Sequence, residues 1–302
     1  MVIEAGFQKG GDPLLSVDTL ISCHRFFFLR SYLSEGLRLV EKAVACKGCS
    51  ESRQFPRIVN MAGVLASYLG DRKRARKYVL YSYSLSKEAG NTEGVAASLV
   101  NLAISVQESG NLKKACRYYT RAAKAFRTIQ SHQKLFTTLT NVVGVEADLK
   151  MFSEAHAHLD EALTLQEQIK DVSTVAMLHQ NAAHLYLAEG LPYKTISHTL
   201  ECLPTFERLG NHNGVATSWR TAAHAAAQLG RFESASIFLG AARKQGATLE
   251  GTGRTYDQES LDDLSHRLIS AIGEQLFRSH SLIGSLMSIG QLAQELDKIR
   301  LS

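Results

Sequence analysis

The chain has 302 residues, of which 45% are hydrophobic and 21% charged, with four prolines and a net charge of +5. That is the composition of a soluble folded protein, and the charge permits an anionic partner without demanding one. The opening MVIEAGFQKGGD lacks a basic segment followed by an apolar core, and no run approaches 18 apolar residues, so neither a signal peptide nor a membrane span is expected.

In chain order, residues 1–11 read as the end of a preceding helix: Ile3 and Phe7 are spaced like a last amphipathic turn, and Gly10-Gly11 supplies the stop. A chain that starts mid-helix implies that something precedes it. The first helix pair is expected near 13–29 and 32–46, with Pro13 in the first turn, where its missing N–H costs nothing. From there the punctuation recurs. Gly90-Asn91-Thr92-Glu93-Gly94-Val95-Ala96-Ala97-Ser98 returns 120 residues later as Gly210-Asn211-His212-Asn213-Gly214-Val215-Ala216-Thr217-Ser218, an interval of three 40-residue units. Gly70, Gly110, Gly190 and Gly230 each close a first helix, and Lys150 takes the intermediate slot where glycine is missing. These marks define six helix-pair repeats at 12–48, 52–88, 92–128, 132–168, 172–208 and 212–248, because a fixed period of this length is the signature of stacked supersecondary units.

Within the second helices, the fifth residue after the bend is Ala75, Ala115, Ala155, Thr195 or Ala235, and the twelfth is Ser82, Ala122, Ala162, Cys202 or Ala242. Small side chains at this spacing let a neighbouring helix approach closely. The register therefore makes Ala115 and Ala155 sensitive to enlargement and leaves Ala123 tolerant. In the first unit the small pair, Gly36 and Ala43, is one residue out of phase. Pro204 falls inside the second helix of the fifth unit, where it should kink or end that helix. After Gly246 the period breaks: Gly251-Thr252-Gly253 reads as a flexible joint, 257–275 and 286–301 as helices, and 249–302 as a capping region over an apolar face around Ile237 and Leu239.

The small positions, together with bulky Trp219, Leu99 and Leu139 eleven residues before the bend and Tyr186 or Phe26 four before it, resemble the tetratricopeptide (TPR) pattern, stretched here to 40 residues. The tail, with Phe238-Leu239-Gly240-Ala241-Ala242, Tyr256, Leu264, Arg267, Ile272-Gly273-Glu274, Phe277 and Gly284, resembles the C-terminal MalT-like TPR region of bacterial LuxR- and AfsR-type signal-transduction ATPases. The opening Ala5-Gly6-Phe7, Arg25-Phe26-Phe27-Phe28-Leu29-Arg30 and Ser34-Glu35-Gly36 resembles the junction where that family's ATPase region passes into its repeats. The resemblance implies an all-α, right-handed superhelical solenoid of antiparallel helix pairs with a helical cap. It implies a sensor and scaffold role, with an ATPase or DNA-binding regulator encoded upstream as a partner. No G-x-x-x-x-G-K-[ST] phosphate loop and no DNA-binding helical module occur, so ATPase and promoter-binding activity do not carry over.

Catalytic signals are weak. Cys46-Lys47-Gly48-Cys49 has redox spacing but ends a helix rather than starting one, and no second Cys/His pair completes a zinc site. The five cysteines are odd in number and mostly scattered, which fits reduced thiols in a cytoplasm. His156 and His158 are two apart on a helix and point to different sides, and His179 and His184 are five apart, so structural or surface roles fit them better than metal binding. No enzyme motif appears, and the chain is read as a non-enzyme without cofactor or metal.

Two surfaces remain. Arg72, Lys73, Arg74, Arg76 and Lys77 open a second helix, and Lys113, Lys114, Arg117, Arg121, Lys124 and Arg127 repeat the theme one unit on. Cations at a helix N-terminus oppose the macrodipole, so helix stability does not explain them; a solvated convex face or a site for an acidic partner or phosphate backbone does. On the first helices, counting back from the bends places Asn60, Asn101, Thr140, Asn141, Gln180, Asn181, His184, Arg220 and His224 along a groove. Amides there either bind a peptide backbone or tie one repeat to the next. The functional reading is a protein-interaction or effector-sensing scaffold holding a protein or peptide segment in this groove, with an acidic group near Arg220 and binding that strengthens below about pH 6.5. A binder of nucleic acid or an acidic partner through the basic helices is the alternative. Nucleic acid is disfavoured because these runs offer charge without a groove-reading module, and no membrane partner is expected.

Overall fold

The computed structural model describes residues 2–8, 10–29, 32–247 and 258–301, and among them every regular element is helical. The chain divides into two compact units, residues 1–138 and 139–302. The first opens with α1 (Val2–Ala5), α2 (Pro13–Ser22), α3 (His24–Leu29), α4 (Leu33–Ala45) and a 3-10 turn at Lys47–Glu51. It continues with α5 (Phe55–Tyr68), α6 (Arg72–Glu88), α7 (Thr92–Glu108) and α8 (Leu112–Thr128), and the boundary falls inside α9 (His132–Asp148). The second unit holds α10 (Phe152–Leu165), a 3-10 turn at Gln166–Gln168, α11 (Val172–Ala188), α12 (Pro192–Arg208), α13 (His212–Gln228) and α14 (Phe232–Ala247). It ends with α15 (Gln258–Ile272), α16 (Glu274–Leu286) and α17 (Ile289–Leu301).

Local chemistry sets these lengths. Asp71, Asn91, Asn111 and Asn211 each accept the backbone N–H three residues on, satisfying a donor that the helix start leaves without a partner. At the other ends, Gly70, Gly110, Gly190 and Gly230 take φ of 81, 79, 75 and 72°, the left-handed backbone that closes a helix at least cost to glycine. Gly90 and Gly210 close second helices in the same way, so the punctuation recurs at 20-residue steps inside the 40-residue period, except at 170, where α10 gives way to a 3-10 turn at Gln166–Gln168. Lys150 and Gln130 adopt the same conformation without being glycine, at φ 57 and 53°.

The expected small positions are buried. Ala115, Ala155, Thr195, Ala235, Ala122, Ala162, Cys202 and Ala242 are all 0% exposed, which lets paired helices pack at short range. Ala123 corrects the register argument: it is 1% exposed, so α8 is covered on more of its surface than one stripe. In the second unit Trp219 and Phe238 stack with centroids 5.6 Å apart over a core that includes Phe206, Leu239, Leu264 and Leu296. Burying an aromatic of this kind contributes about 2–3 kcal/mol.

Several expectations need correction. The first helix of unit one breaks at Cys23, and Phe27 rather than Phe26 enters the core, the two being 5% and 51% exposed. The one-residue slip seen at Gly36 explains this, because Gly36 lies directly against the Phe27 ring. Pro204 does not end its helix: α12 runs on to Arg208, with Pro204 exposed and Cys202, Leu203 and Phe206 buried on the packed side. Burial of those neighbours outweighs the hydrogen bond that proline cannot donate. The tail contains three helices where two were expected: α15 and α17 stand where 257–275 and 286–301 were read, and α16 fills the stretch between, set off from α15 by Gly273 at φ 82°. The joint at Gly251-Thr252-Gly253 lies outside the described residues. Helix α16 packs on α14 where the apolar face was expected; a Cβ on Gly284 would lie 1.8 Å from the Ile237 carbonyl oxygen, and one on Gly240 would lie 2.0 Å from that of Ser281. The two backbones therefore meet at a paired glycine crossing.

Candidate partner-binding surface

Among the slots nine and ten residues before the bend, Asn60 and Asn101 meet through their side chains. In the first unit, the Asn101 amide on α7 donates to the Asn60 side-chain oxygen on α5 at 2.9 Å. Asn60 also lines two open cavities, of about 320 and 150 Å³, and Asn101 lines a smaller apolar one of about 60 Å³. These hollows adjoin one another: Arg57 and Asn60 border the first two, and Val64 borders the second and third.

In the second unit the corresponding amides hold helices together. Asn181 donates to the Thr140 carbonyl at 2.7 Å, and its amide lies against Gly144, where a Cβ would sit 3.3 Å away. Thr140 itself is fully buried and offers its side chain to no surface. Gln180 donates to the Gly214 carbonyl at 2.8 Å and the Ser218 hydroxyl at 3.0 Å, tying α11 to α13. Asn141 is half-buried on α9, and its side chain has no hydrogen-bond partner among the described residues. His184 pairs with Asp148 at 2.7 Å. Arg220 and His224, half-buried on α13, each take part in an interaction within the chain.

The basic stretch on α6 is divided in its use. Arg74 reaches Glu41 and the capping Asp71, both at 3.0 Å, and these acids raise its pKa. Arg76 lines the small apolar cavity with Asn101, whereas Arg72, Lys73 and Lys77 are exposed.

Other histidines act structurally. His156 meets Glu189 at 2.9 Å and His158 meets Glu146, which is 1% exposed, at 2.8 Å, so the two rings do face different helices. His179 and His198 share a 3.0 Å contact between their Nδ1 atoms. Burial, then His179 and then Lys194, push the His198 pKa down to about 4, and burial lowers that of His179. Burial, then a contact with Cys46, pushes the Cys49 thiol up to about 12, the wrong direction for a nucleophile, and both cysteines are free thiols.

Sequence reasoning missed the residues around the cavity of about 320 Å³: Arg53, Gln54, Arg57, Asn91, Glu93 and Lys134. They lie in or just before first turns, 13 to 19 residues ahead of the bends at 70, 110 and 150, a distance the count from the bend never reached.

The fold so described is all-α, built from helix pairs packed in chain order. The tetratricopeptide repeat family matches residues 94–168. A tetratricopeptide repeat protein from Parabacteroides merdae ATCC 43184 matches at a TM-score of 0.55 and 14% identity, covering 95% of this chain and 99% of that one. BtubC (BKLC) from P. vanneervenii matches at 0.53 and 17%, covering 66% and 81%. At these identities both similarities concern the fold alone. No curated protein matches the chain. Repeats of this type generally mediate protein–protein interaction, and among the described residues no helix is long and apolar enough to cross a membrane.

Proposed function

We propose that the chain is a non-catalytic scaffold that holds a protein or peptide segment along its first helices. The observation that carries this reading is the run of three adjoining hollows beside the Asn60–Asn101 pair, polar at one end and apolar at the other. An extended segment presents alternating backbone donors, acceptors and side chains, which such a run can accept in sequence. We further propose the six repeats at the boundaries given above with 249–302 as their cap. The role is that of the sensor portion of a cytoplasmic bacterial regulator whose ATPase lies on another polypeptide or upstream. The order of residues from Phe238 to Gly284 supports that part.

The second reading, an acidic partner on α6, is favoured by the exposure of Arg72, Lys73 and Lys77. Calorimetry with a partner captured by pull-down separates the two. Val64→Gln should weaken binding at least tenfold at an unchanged melting temperature, and the triple change Arg72→Gln, Lys73→Gln, Lys77→Gln should leave it alone. The reverse pattern moves the working surface to α6.

A further inference from the structure

The first turns of α5, α7 and α9 surround the cavity of about 320 Å³ in the first unit. Its charged groups are mostly cationic, Arg53, Arg57 and Lys134 standing with Glu93. Lys134 pairs with Glu93, and this bond, with a longer-range contribution from Arg57, holds the Glu93 carboxyl below its usual range. The one acid is thereby neutralised, while Arg53 and Arg57, both exposed, have no ion-pair partner among the described residues. Three cationic residues, Arg53, Arg57 and Lys134, thus line one hollow with the single acid Glu93, an excess of two positive charges. A cation in the first turn of α5 also opposes that helix's dipole, so helix stability does not account for Arg57.

The amides point the same way. Asn60 accepts from Asn101 through its side-chain oxygen, which leaves its NH₂ group to donate. Asn91 caps α7 by accepting the Gly94 N–H at 2.9 Å through its oxygen, which again leaves the NH₂. Both acceptor ends are occupied by structural bonds, and both residues line the cavity.

We propose that this cavity binds a phosphate monoester as its dianion. Two guanidinium forks suit the several acceptor oxygens of a phosphate, and two positive charges match its two negative ones, whereas a single carboxylate would leave one arginine uncompensated. By water's share of liquid volume the hollow holds roughly ten water molecules, more than a bare phosphate fills, so it has space for the organic group behind the ester. The inference stands whether or not a peptide lies along the first helices. The phosphate arrives either on a small molecule or on a phosphorylated side chain of a protein.

Calorimetric titration of the full chain at pH 7.5 decides this, with phenyl phosphate, benzoate at matched ionic strength, and a phosphoserine hexapeptide beside its unphosphorylated form. Phenyl phosphate should bind and benzoate should not. Binding should weaken several-fold at pH 5.5, where the ester, with a second pKa of about 6, is mostly a monoanion. Arg53→Gln with Arg57→Gln should lose at least tenfold in affinity, and Arg72→Gln with Lys73→Gln should lose nothing. If the glutamine pair fails to fold, Arg53→Lys with Arg57→Lys keeps the charge but removes the forks, and should still weaken binding. Tighter binding of the phosphopeptide than of phenyl phosphate assigns the ester to a protein side chain, and the opposite order assigns it to a small molecule. Equal binding of benzoate, or full retention in the Arg53/Arg57 variants, overturns the proposal.

Discussion

The two units place the same residue types at the same distance from their bends and then use them differently. In the first, Asn101 spends its donor on Asn60, which lines a cavity together with Arg53 and Arg57, two residues with no ion-pair partner among the described residues. In the second, Asn181 and Gln180 donate to carbonyls of neighbouring helices, and His156, His158 and His184 each meet a carboxylate. A repeat therefore fixes where a side chain sits, while its neighbours decide which atoms remain for a ligand. On this comparison the second unit is built for packing and the first keeps polar groups open.

The strongest way to break that contrast is at the glycine crossing of α14 and α16. The obstacles are backbone oxygens, so Gly284→Ala or Gly240→Ala should each cost about 2–4 kcal/mol. Gly290→Ala, on α17 with nothing within 4 Å of its would-be Cβ, should be neutral or slightly stabilising. Urea denaturation followed by circular dichroism measures all three, and equal midpoints would mean that the two backbones do not meet.

Enlarging the small positions tests whether packing in the two units is equally tight. Ala115→Leu and Ala123→Leu in the first and Ala155→Leu in the second replace residues that are at most 1% exposed. Each should cost about 1–3 kcal/mol through overpacking. A tolerant Ala123→Leu would restore the single-stripe register read from the sequence.

The second unit should also respond to acid. His198 takes its proton near pH 6.5 in the unfolded chain and near 4 in the folded one, with His179 shifted in the same direction. Between those values the unfolded chain binds more protons, so stability is complete above about pH 6.5 and falls as the pH drops toward 4. The half-buried rings are partly screened by solvent, which holds the effect to about 1–2 kcal/mol. Melting of wild type and His198→Phe from pH 4 to 8 checks it: the variant should lose part of the acid sensitivity, and parallel curves would refute the assignment.

Removing the amides probes the contrast directly. Asn181→Ala removes the tie from α11 to the buried Thr140 carbonyl and the packing of that amide on Gly144, and should cost about 1–2 kcal/mol, whereas Asn101→Ala, whose partner can turn to water, should cost about 0.5–1 kcal/mol. Asn141, which makes no side-chain hydrogen bond, should be nearly silent in thermal melts. A larger loss at Asn101 than at Asn181 would reverse the roles of the two units.

Much of the fold was legible because it is written in local punctuation: Gly70-Asp71, Gly90-Asn91 and Gly110-Asn111 stop one helix and cap the next, whatever lies beyond. Where tertiary packing overrides local propensity, the sequence misled. Pro204 is carried inside α12 by its buried neighbours, and α16, absent from the sequence reading, lies where Gly240 and Gly284 let it cross α14 closely. Of the candidate surface, the positions of Asn60 and Asn101 were legible, because spacing alone sets them. Which end of each amide stays available depends on a partner about 40 residues away, and so do the pairing of Lys134 with Glu93 and of His184 with Asp148. No periodicity carries that information.

The smallest effect concerns the two bends where a residue other than glycine takes the left-handed conformation, one in each unit. Gln130 and Lys150 hold φ of 53 and 57°, where a Cβ crowds the backbone, while their counterparts at 70, 90, 110, 190, 210 and 230 are glycines. Replacing either by glycine relieves about 1–2 kcal/mol of left-handed strain but gives the unfolded chain more freedom. The net gain should be about 0.5–1 kcal/mol, seen as a rise in melting temperature for Gln130→Gly and Lys150→Gly alike. Both bends carry the same closing bonds, from Gln130 to the Arg127 carbonyl at 3.2 Å and from Lys150 to the Ala147 carbonyl at 3.0 Å, so the backbone alone predicts equal gains. A gain confined to one site would mean that the other side chain contributes a contact offsetting its strain. Loss of stability at both would show that these bends do not use the glycine conformation at all.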